Sequence, residues 1–449
     1  MVMNLLAGLL CLALVGVEPP TEVSPQEEPP ISLAAAREAF AEARTAAMAD
    51  NGALWGRSLD GPMLFVDRAS RFVVANQADE QGLLSGRDGV FVGTLPPEVG
   101  IANTATTWAG VHWTMLMWPL PSGKYSRARL LMHECFHRIQ AEIGLPAADA
   151  VNSHLDTAEG RISLRLEWRA LAEALIRRGD ARRRAIEDAL IFRAFRRDLL
   201  PSAAAQERAL ELNEGLAEYT GVRLCGWPAW ILADRAAVRL EFDEHKHGLA
   251  RTFAYASGPA YGILIDETGT GWRDKLGPQS DLGAILAQAL DITLPGDLSR
   301  AAHQRAAAYD GPAVISEENE LAEARREMVA QQRARLVDGP LLILPCGPDM
   351  RYTFNPNAVM GLDESTLYGT VRVSDAWGIL EVSQGALMTR NDAGSVADFR
   401  VPAPSDPAGR KLDGDGWMLT LNEGWKLVPA SRPGDYTLAR EKVAGPGTD

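Results

Sequence analysis

The chain has 449 residues, 46% of them hydrophobic and 23% charged, enough for two or three domains and a sizeable core. Its 59 acidic residues outnumber 45 basic ones, for a net charge of −14. Nucleic-acid binding rests on Lys and Arg set against phosphate, so this balance excludes DNA and RNA as expected partners.

The first residues, MVMNLLAGLLCLALVGVEPPTEV, hold an apolar run from Leu5 to Val17 that is too short for a normal membrane span. Residues 1–18 read as a secretory signal peptide, although no Lys or Arg precedes the run; a buried N-terminal helix is the alternative. The expected location is therefore exported, periplasmic or extracellular, with no stable membrane span after signal removal. Cys11 follows Leu9 and Leu10 where a lipidated cysteine would follow small residues, so no lipoprotein is expected. Residues 19–31 are rich in Pro and Glu and read as a linker that can bury almost nothing. Three cysteines remain, Cys135, Cys225 and Cys346; a Cys225–Cys346 disulfide and separate buried thiols both stay open.

Residues 32–125 form an α+β part. A helix pattern, LAAAREAFAEARTAAMA, leads into the strand-like stretches MLFVD, FVVAN, GVFVG and VHWTMLMWPL, divided by Gly, Asp and Pro turn signals. VHWTMLMWPL is the expected outer strand, able to hold an extended substrate by backbone pairing.

Residues 126–337 change to a helical period. SRARLLMHECFHRIQAEIG runs from a Ser126 cap to Gly144, with Pro146 just beyond. Two Arg-rich helices then form a hairpin over 155–200, and their arginines read as a solvated face. SAAAQERALELNEGLAEYTG and the polar SEENELAEARREMVAQQRARL are further helices. Past Asp338, the fragments LLILP, YGTVRV, GILEV and WMLTL make residues 338–449 a small β-rich C-terminal domain. The fold class is thus α+β: a small sheet with a helical subdomain, then a separate β-rich domain.

The chemistry is carried by LLMHECFH. On a helix, positions i and i+4 share a face, so His133 and His137 can present two imidazoles to one zinc ion. Glu134 lies about 100° further round, able to reach a water on that ion without ligating it. Cys135 points away from that face and reads as a core thiol. A catalytic zinc needs a third protein ligand and an open position. Glu214 in ELNEGLAEYTG is the first candidate, since Gly215 and Ala217 would let its helix approach the other closely. His154 and Glu218 are alternatives. Glu218, one turn beyond Glu214, could instead hydrogen-bond a ligand histidine, and Glu167 could do likewise or pair with an arginine. His245 and His247 alternate in a charged segment and read as solvated.

HECFH followed by NEGLAEY resembles the gluzincin metallopeptidases, whose aminopeptidase branch carries H-E-x-x-H and then N-E-G-F/L-A-x-Y. The resemblance implies a zincin-like catalytic domain with one Zn2+ per chain, held by His133, His137 and Glu214, and with Glu134 as general base. FAYASGPAYGILI resembles the Y-x-K-G-A segment of the same branch, which makes Tyr255 the oxyanion donor, with Ser257 standing in place of the lysine and Tyr261 as the fallback. Two features depart from the branch. Glu214 lies 77 residues after His137, with the Arg-rich hairpin between them, and the G-x-M-E-N motif that grips a free amine is absent.

The expected function is an exported zinc metallopeptidase acting on a peptide or protein substrate, with endo- or exopeptidase specificity open. The C-terminal domain would be accessory, by analogy alone. A catalytically silent binding or structural protein on the same scaffold is the alternative; the intact Glu134 speaks against it.

Overall fold

Ser32 accepts a bond from the Ala35 amide at 3.4 Å and caps α1 (Leu33–Asp50), whose Ala36, Phe40, Ala43 and Ala47 recur at helical spacing and are buried. Six strands follow: β1 (Met63–Asp67), β2 (Phe72–Ala75), β3 (Ser85–Arg87), β4 (Val90–Thr94), β5 (Thr104–Trp108) and β6 (Val111–Trp118). They form one sheet in the order β3-β4-β2-β1-β6-β5, with β1 parallel to β6 and the other neighbours antiparallel. Met63 to Val66 are all buried, the unbroken apolar run of a strand covered on both faces. Phe40 of α1 stacks on Phe65 at 4.3 Å on one face, while Leu64, Val66, Trp113 and Met115 join Leu84 and Leu95 on the other.

The outer strand is β5, not the expected VHWTMLMW. Trp113, Met115 and Leu116 of β6 are fully buried and need a neighbour at each edge, which β1 and β5 supply; the polar, half-buried TATTW tolerates an open edge. Ala109 (φ 50°) and Gly110 (φ 82°) join β5 to β6, and two successive left-handed residues make the tight hairpin turn whose twist matches the strands. The Thr114 amide bonds to the Pro62 carbonyl, so Thr114 faces β1. Ala105, opposite it, therefore turns its own N–H and C=O to the free edge.

This computed structural model describes residues 29–441, apart from 146, 149, 247, 356 and 357. The expected signal peptide, Cys11, most of the linker and His247 lie outside the described residues. Ten helices are used below: α2 (Lys124–Gln140), α3 (Ala158–Ile176), α4 (Gly179–Leu199), α5 (Ala203–Leu210), α6 (Leu216–Leu224), α7 (Leu232–Asp243), α8 (Leu249–Thr252), α9 (Ala254–Asp266), α10 (Leu282–Ala289) and α11 (Leu298–Ala306). α2 starts at Lys124 with Gly123 at its cap, two residues before the expected Ser126, and ends through a 3-10 turn at Gly144 (φ 77°) as expected. Among the described residues, no helix is long and apolar enough to cross a membrane.

α3 and α4 form the expected Arg-rich hairpin, but its key arginines are not solvated. Arg165, Arg193 and Arg196 are 2%, 3% and 0% exposed. Arg193 bonds Glu211 through both terminal nitrogens and reaches Glu167 at 3.3 Å, while Arg196 bonds Glu207 at 2.6 Å and lies 2.6 Å from Glu167. A guanidinium can be buried when carboxylates meet its fork of donors, and the matching glutamates are scattered along the sequence, beyond the reach of local charge counting.

The chain divides into two compact units, Met1–Gly311 and Pro312–Asp449. α12 (Gly311–Arg333) lies in the second from Pro312 on, whereas the helical period alone places it with residues 126–337. The rest of that unit is β-rich, with a seven-stranded and a five-stranded sheet among the described residues. The two sheets share one core that includes Leu344, Phe399, Val373, Leu380, Trp417 and Leu419. The fold is α+β with a C-terminal β-rich region.

Candidate metal centre

α2 and the segment between α5 and α6 supply the centre. Glu211–Gly215 is a π-turn, in which the chain widens by one residue and rotates Asn213 and Glu214 out of α-helical register. Gly221 of α6 lies so close to α2 that a Cβ there would meet the Arg129 carbonyl oxygen at 2.6 Å. Gly221 thus makes the close approach that the sequence reading assigned to Gly215 and Ala217. Gly215 touches α9 instead, where a Cβ on Gly258 would come within 2.4 Å of the Gly215 Cα.

Three donor atoms converge. His133 Nε2 and His137 Nε2 are 3.2 Å apart, and Glu214 Oε2 lies 3.3 Å and 3.6 Å from them. Tetrahedral zinc with bonds of about 2.0–2.1 Å would separate its ligand atoms by roughly 3.3–3.4 Å. Glu134 also brings an oxygen near the histidines, but its Oε1 stands 3.9 Å from His133 Nε2. Glu214 Oε2, at 3.3 Å, thus stands closer to His133 Nε2 than Glu134 does.

The partners on the far side of each ring settle what faces the centre. His133 Nδ1 lies 3.0 Å from Glu218 Oε2, and His137 Nδ1 lies 2.9 Å from Gln140 Oε1. Both partners accept, so both Nδ1 atoms donate and, in the neutral rings, both Nε2 atoms present lone pairs. Two lone pairs and a carboxylate oxygen facing one another within 3.6 Å repel one another unless a positive charge, a proton or a metal ion, sits among them. The field there is strongly negative: burial works against a charged His133, yet Glu214, Glu218 and Glu134 raise its pKa to about 10. Burial would likewise raise Glu214, but its bonds with His133, His137 and Tyr255 hold it well below the usual carboxylate range. The donor set and its spacing fit a divalent ion such as zinc.

Glu134 is 4% exposed, and burial raises its carboxyl above the ordinary 4.5. Its Oε2 is buried with no hydrogen-bond partner among the described residues, the condition of a group placed to take a bond from a ligand or water. The Tyr255 hydroxyl donates to Glu214 Oε2 at 2.5 Å, and its ring stacks on His133 at 5.6 Å. Burial and the neighbouring Glu214 both keep that phenol protonated, so it stays a donor. A cleft of about 740 Å³ opens over these groups, walled by α2 and by Asn103, Thr104 and Ala105 at the free edge of the sheet.

The remaining candidates lie elsewhere. His154 bonds Glu207 at 2.9 Å, and Glu167 accepts from the Tyr261 hydroxyl and pairs with Arg193 and Arg196, which removes His154, Glu167 and Tyr261 from the centre. His245 is exposed beside Glu244. Cys135 is buried on the opposite side of α2 with its thiol pushed up to about 12, and Cys135, Cys225 and Cys346 are all free. Three supporting residues were missed. Gln140 fixes His137; Asn213 accepts from Gln140 at 3.1 Å and donates to Glu214 Oε1 at 3.3 Å; and Arg129 holds Glu218 at 2.9 Å. The spacing of Gln140, three residues after His137 on one helix, was the available signal.

No protein-family model matches the chain, and no curated protein or solved structure matches it.

Proposed function

We propose that the protein is an exported zinc metallopeptidase of the gluzincin type, with a zincin-like catalytic unit that binds one zinc ion through His133, His137 and Glu214. The observation that carries the reading is the convergence of three donor atoms within 3.6 Å, each ring oriented from behind by Glu218 or Gln140. Zinc held there would lower the pKa of a coordinated water toward about 7 and polarise a substrate carbonyl.

The chain's own groups do the rest. The Glu134 carboxylate, which lines the cleft and keeps one buried oxygen without a partner among the described residues, would take a proton from the attacking water and return it to the leaving amine. The Tyr255 hydroxyl donates to the oxygen on which charge develops. The edge-facing N–H and C=O of Ala105, the latter also accepting from the Thr104 hydroxyl at 3.3 Å, offer backbone pairing to an extended peptide. A silent binding protein would have no use for a buried carboxylate with an idle oxygen at that position. Hydrolysis of a quenched peptide library by the zinc-loaded protein tests the reading: wild type should cleave, Glu134→Gln and wild type plus a chelator should not. Equal cleavage by wild type and Glu134→Gln would refute it.

A further inference from the structure

Among the described residues of the first unit, three aromatic side chains stand exposed, Tyr125, Trp230 and Phe242, and all three fall on one stretch of surface. Tyr125 opens α2 and meets the half-buried Trp227 at 5.9 Å; Trp230 sits in the 3-10 turn Ala229–Ile231 that leads into α7; and Phe242 lies near the end of that helix. Arg235, Val238 and Phe242 recur at i, i+3 and i+7, so one face of α7 carries them. Trp230 is 77% exposed and Phe242 70%, which leaves most of two large apolar rings in water. Cations lie over three of the rings: Lys124 over Tyr125 at 5.9 Å, Arg235 over Trp227 at 5.3 Å and Lys246 over Phe242 at 5.6 Å. Lys246 pairs with the buried Asp243, whereas Lys124 and Arg235 have no carboxylate partner among the described residues. Asp234 and Glu241, the exposed acids of α7, lie roughly 70–90° round the helix from that face.

We propose that this face docks on a phospholipid bilayer that carries anionic headgroups. A bilayer surface matches the patch in depth as well as in charge. Aromatic rings sit at the boundary of acyl chains and headgroups, while lysine and arginine keep their hydrated ends among the phosphates. A protein partner would have to bury the ammonium of Lys124, and lysine is depleted from such interfaces. A twofold contact between copies would bring both sets of unpaired cations onto one face, with Asp234 and Glu241 turned aside. A few rings and cations make an attachment that is weak and reversible, without a spanning helix. Arg239, next to Val238 on α7, lines the metal cleft, so docking sets the cleft beside the bilayer. The docking itself does not rest on the peptidase reading.

The test is co-sedimentation of the full-length protein with vesicles of phosphatidylcholine alone, and of phosphatidylcholine and phosphatidylglycerol in equal parts, at low and high salt. Wild type should partition onto the mixed vesicles about tenfold or more above phosphatidylcholine, and high salt should remove most of that preference. Trp230→Ser with Phe242→Ser should lower partition onto both vesicles by about tenfold or more, since two rings lose their apolar contact. Lys124→Glu with Arg235→Glu should abolish the preference and leave the phosphatidylcholine value within about twofold. Every variant keeps the apolar run Leu5–Val17, so whatever that run contributes is common to all, and an unchanged melting temperature checks folding. Equal partition of wild type and both double variants overturns docking through this face, as does the absence of binding to either vesicle. Self-association of wild type in analytical ultracentrifugation, lost in Trp230→Ser with Phe242→Ser and unaccompanied by vesicle binding, overturns it in favour of a contact between copies.

Discussion

His133 and His137 ligate only if both Nε2 atoms are free of protons, and Glu218 and Gln140 arrange that by accepting from the opposite nitrogens. Loss of either acceptor frees the ring to rotate and to change tautomer. Glu218→Ala and Gln140→Ala should each weaken zinc binding by about 10–100-fold, measured by chelator competition, with cobalt spectra still showing a bound ion. An unchanged affinity in Glu218→Ala would show that the carboxylate serves Arg129 rather than the metal. Tyr255→Phe should retain zinc and lower kcat by roughly 10²-fold, since it removes one donor to the developing charge and no ligand. If kcat holds, the hydroxyl serves only to orient Glu214. The two histidines and Glu134 were legible because H-E-x-x-H is a local pattern whose geometry follows from the helix repeat alone. Asn213 and Arg129 were not, because their roles depend on how α6 meets α2 through Gly221.

The element that places Glu214 is the π-turn, and its support comes from the inserted hairpin. Arg193 of α4 grips Glu211 at the start of the turn, and the Ser257 hydroxyl of α9 bonds the same carboxylate at 3.1 Å. Glu214 and Tyr255 are thereby tied through one buried anion, with Gly215 packed on Gly258 between them. Removing one member leaves an uncompensated buried charge: Arg193→Met should destabilise the first unit by about 3–5 kcal/mol in denaturant titration, and Arg193→Met with Glu211→Leu by less. Equal costs for the single and double variants would mean that shape, not charge, is what Arg193 supplies. Helix positions could be read from periodicity, but a π-turn uses the same residues as an α-helix and leaves no mark in hydrophobic spacing. The outer strand was misread for a related reason. VHWTMLMW has the stronger strand pattern, and strength of pattern marks a central strand, whereas the edge falls to the weaker TATTW.

At the scale of the molecule, α3, α4 and α5 bury a dense set of ion pairs, and these make the fold sensitive to acid. Burial alone would raise Glu207, but Arg196, His154 and Arg197 hold its carboxyl well below 4.5, while Arg196 is raised in turn. A depressed folded-state pKa contributes stability that is present above the unfolded value of about 4.5 and is lost as pH falls through and below it. Wild type should therefore lose denaturant resistance steeply below about pH 4.5, and Glu207→Gln combined with Arg196→Met should flatten that slope; parallel slopes would place the acid-labile groups elsewhere. The sequence showed an Arg-rich hairpin and a β-rich C-terminal region, but composition cannot tell a buried guanidinium from a solvated one. The central claim is the metal centre, and zinc content of the purified protein tests it most directly. Wild type should hold about one zinc per chain; Glu134→Gln should keep it and Glu214→Ala should lose it. Zinc retained by Glu214→Ala would contradict the assigned ligand set, and a wild-type protein that takes up no zinc after reconstitution would contradict the account as a whole.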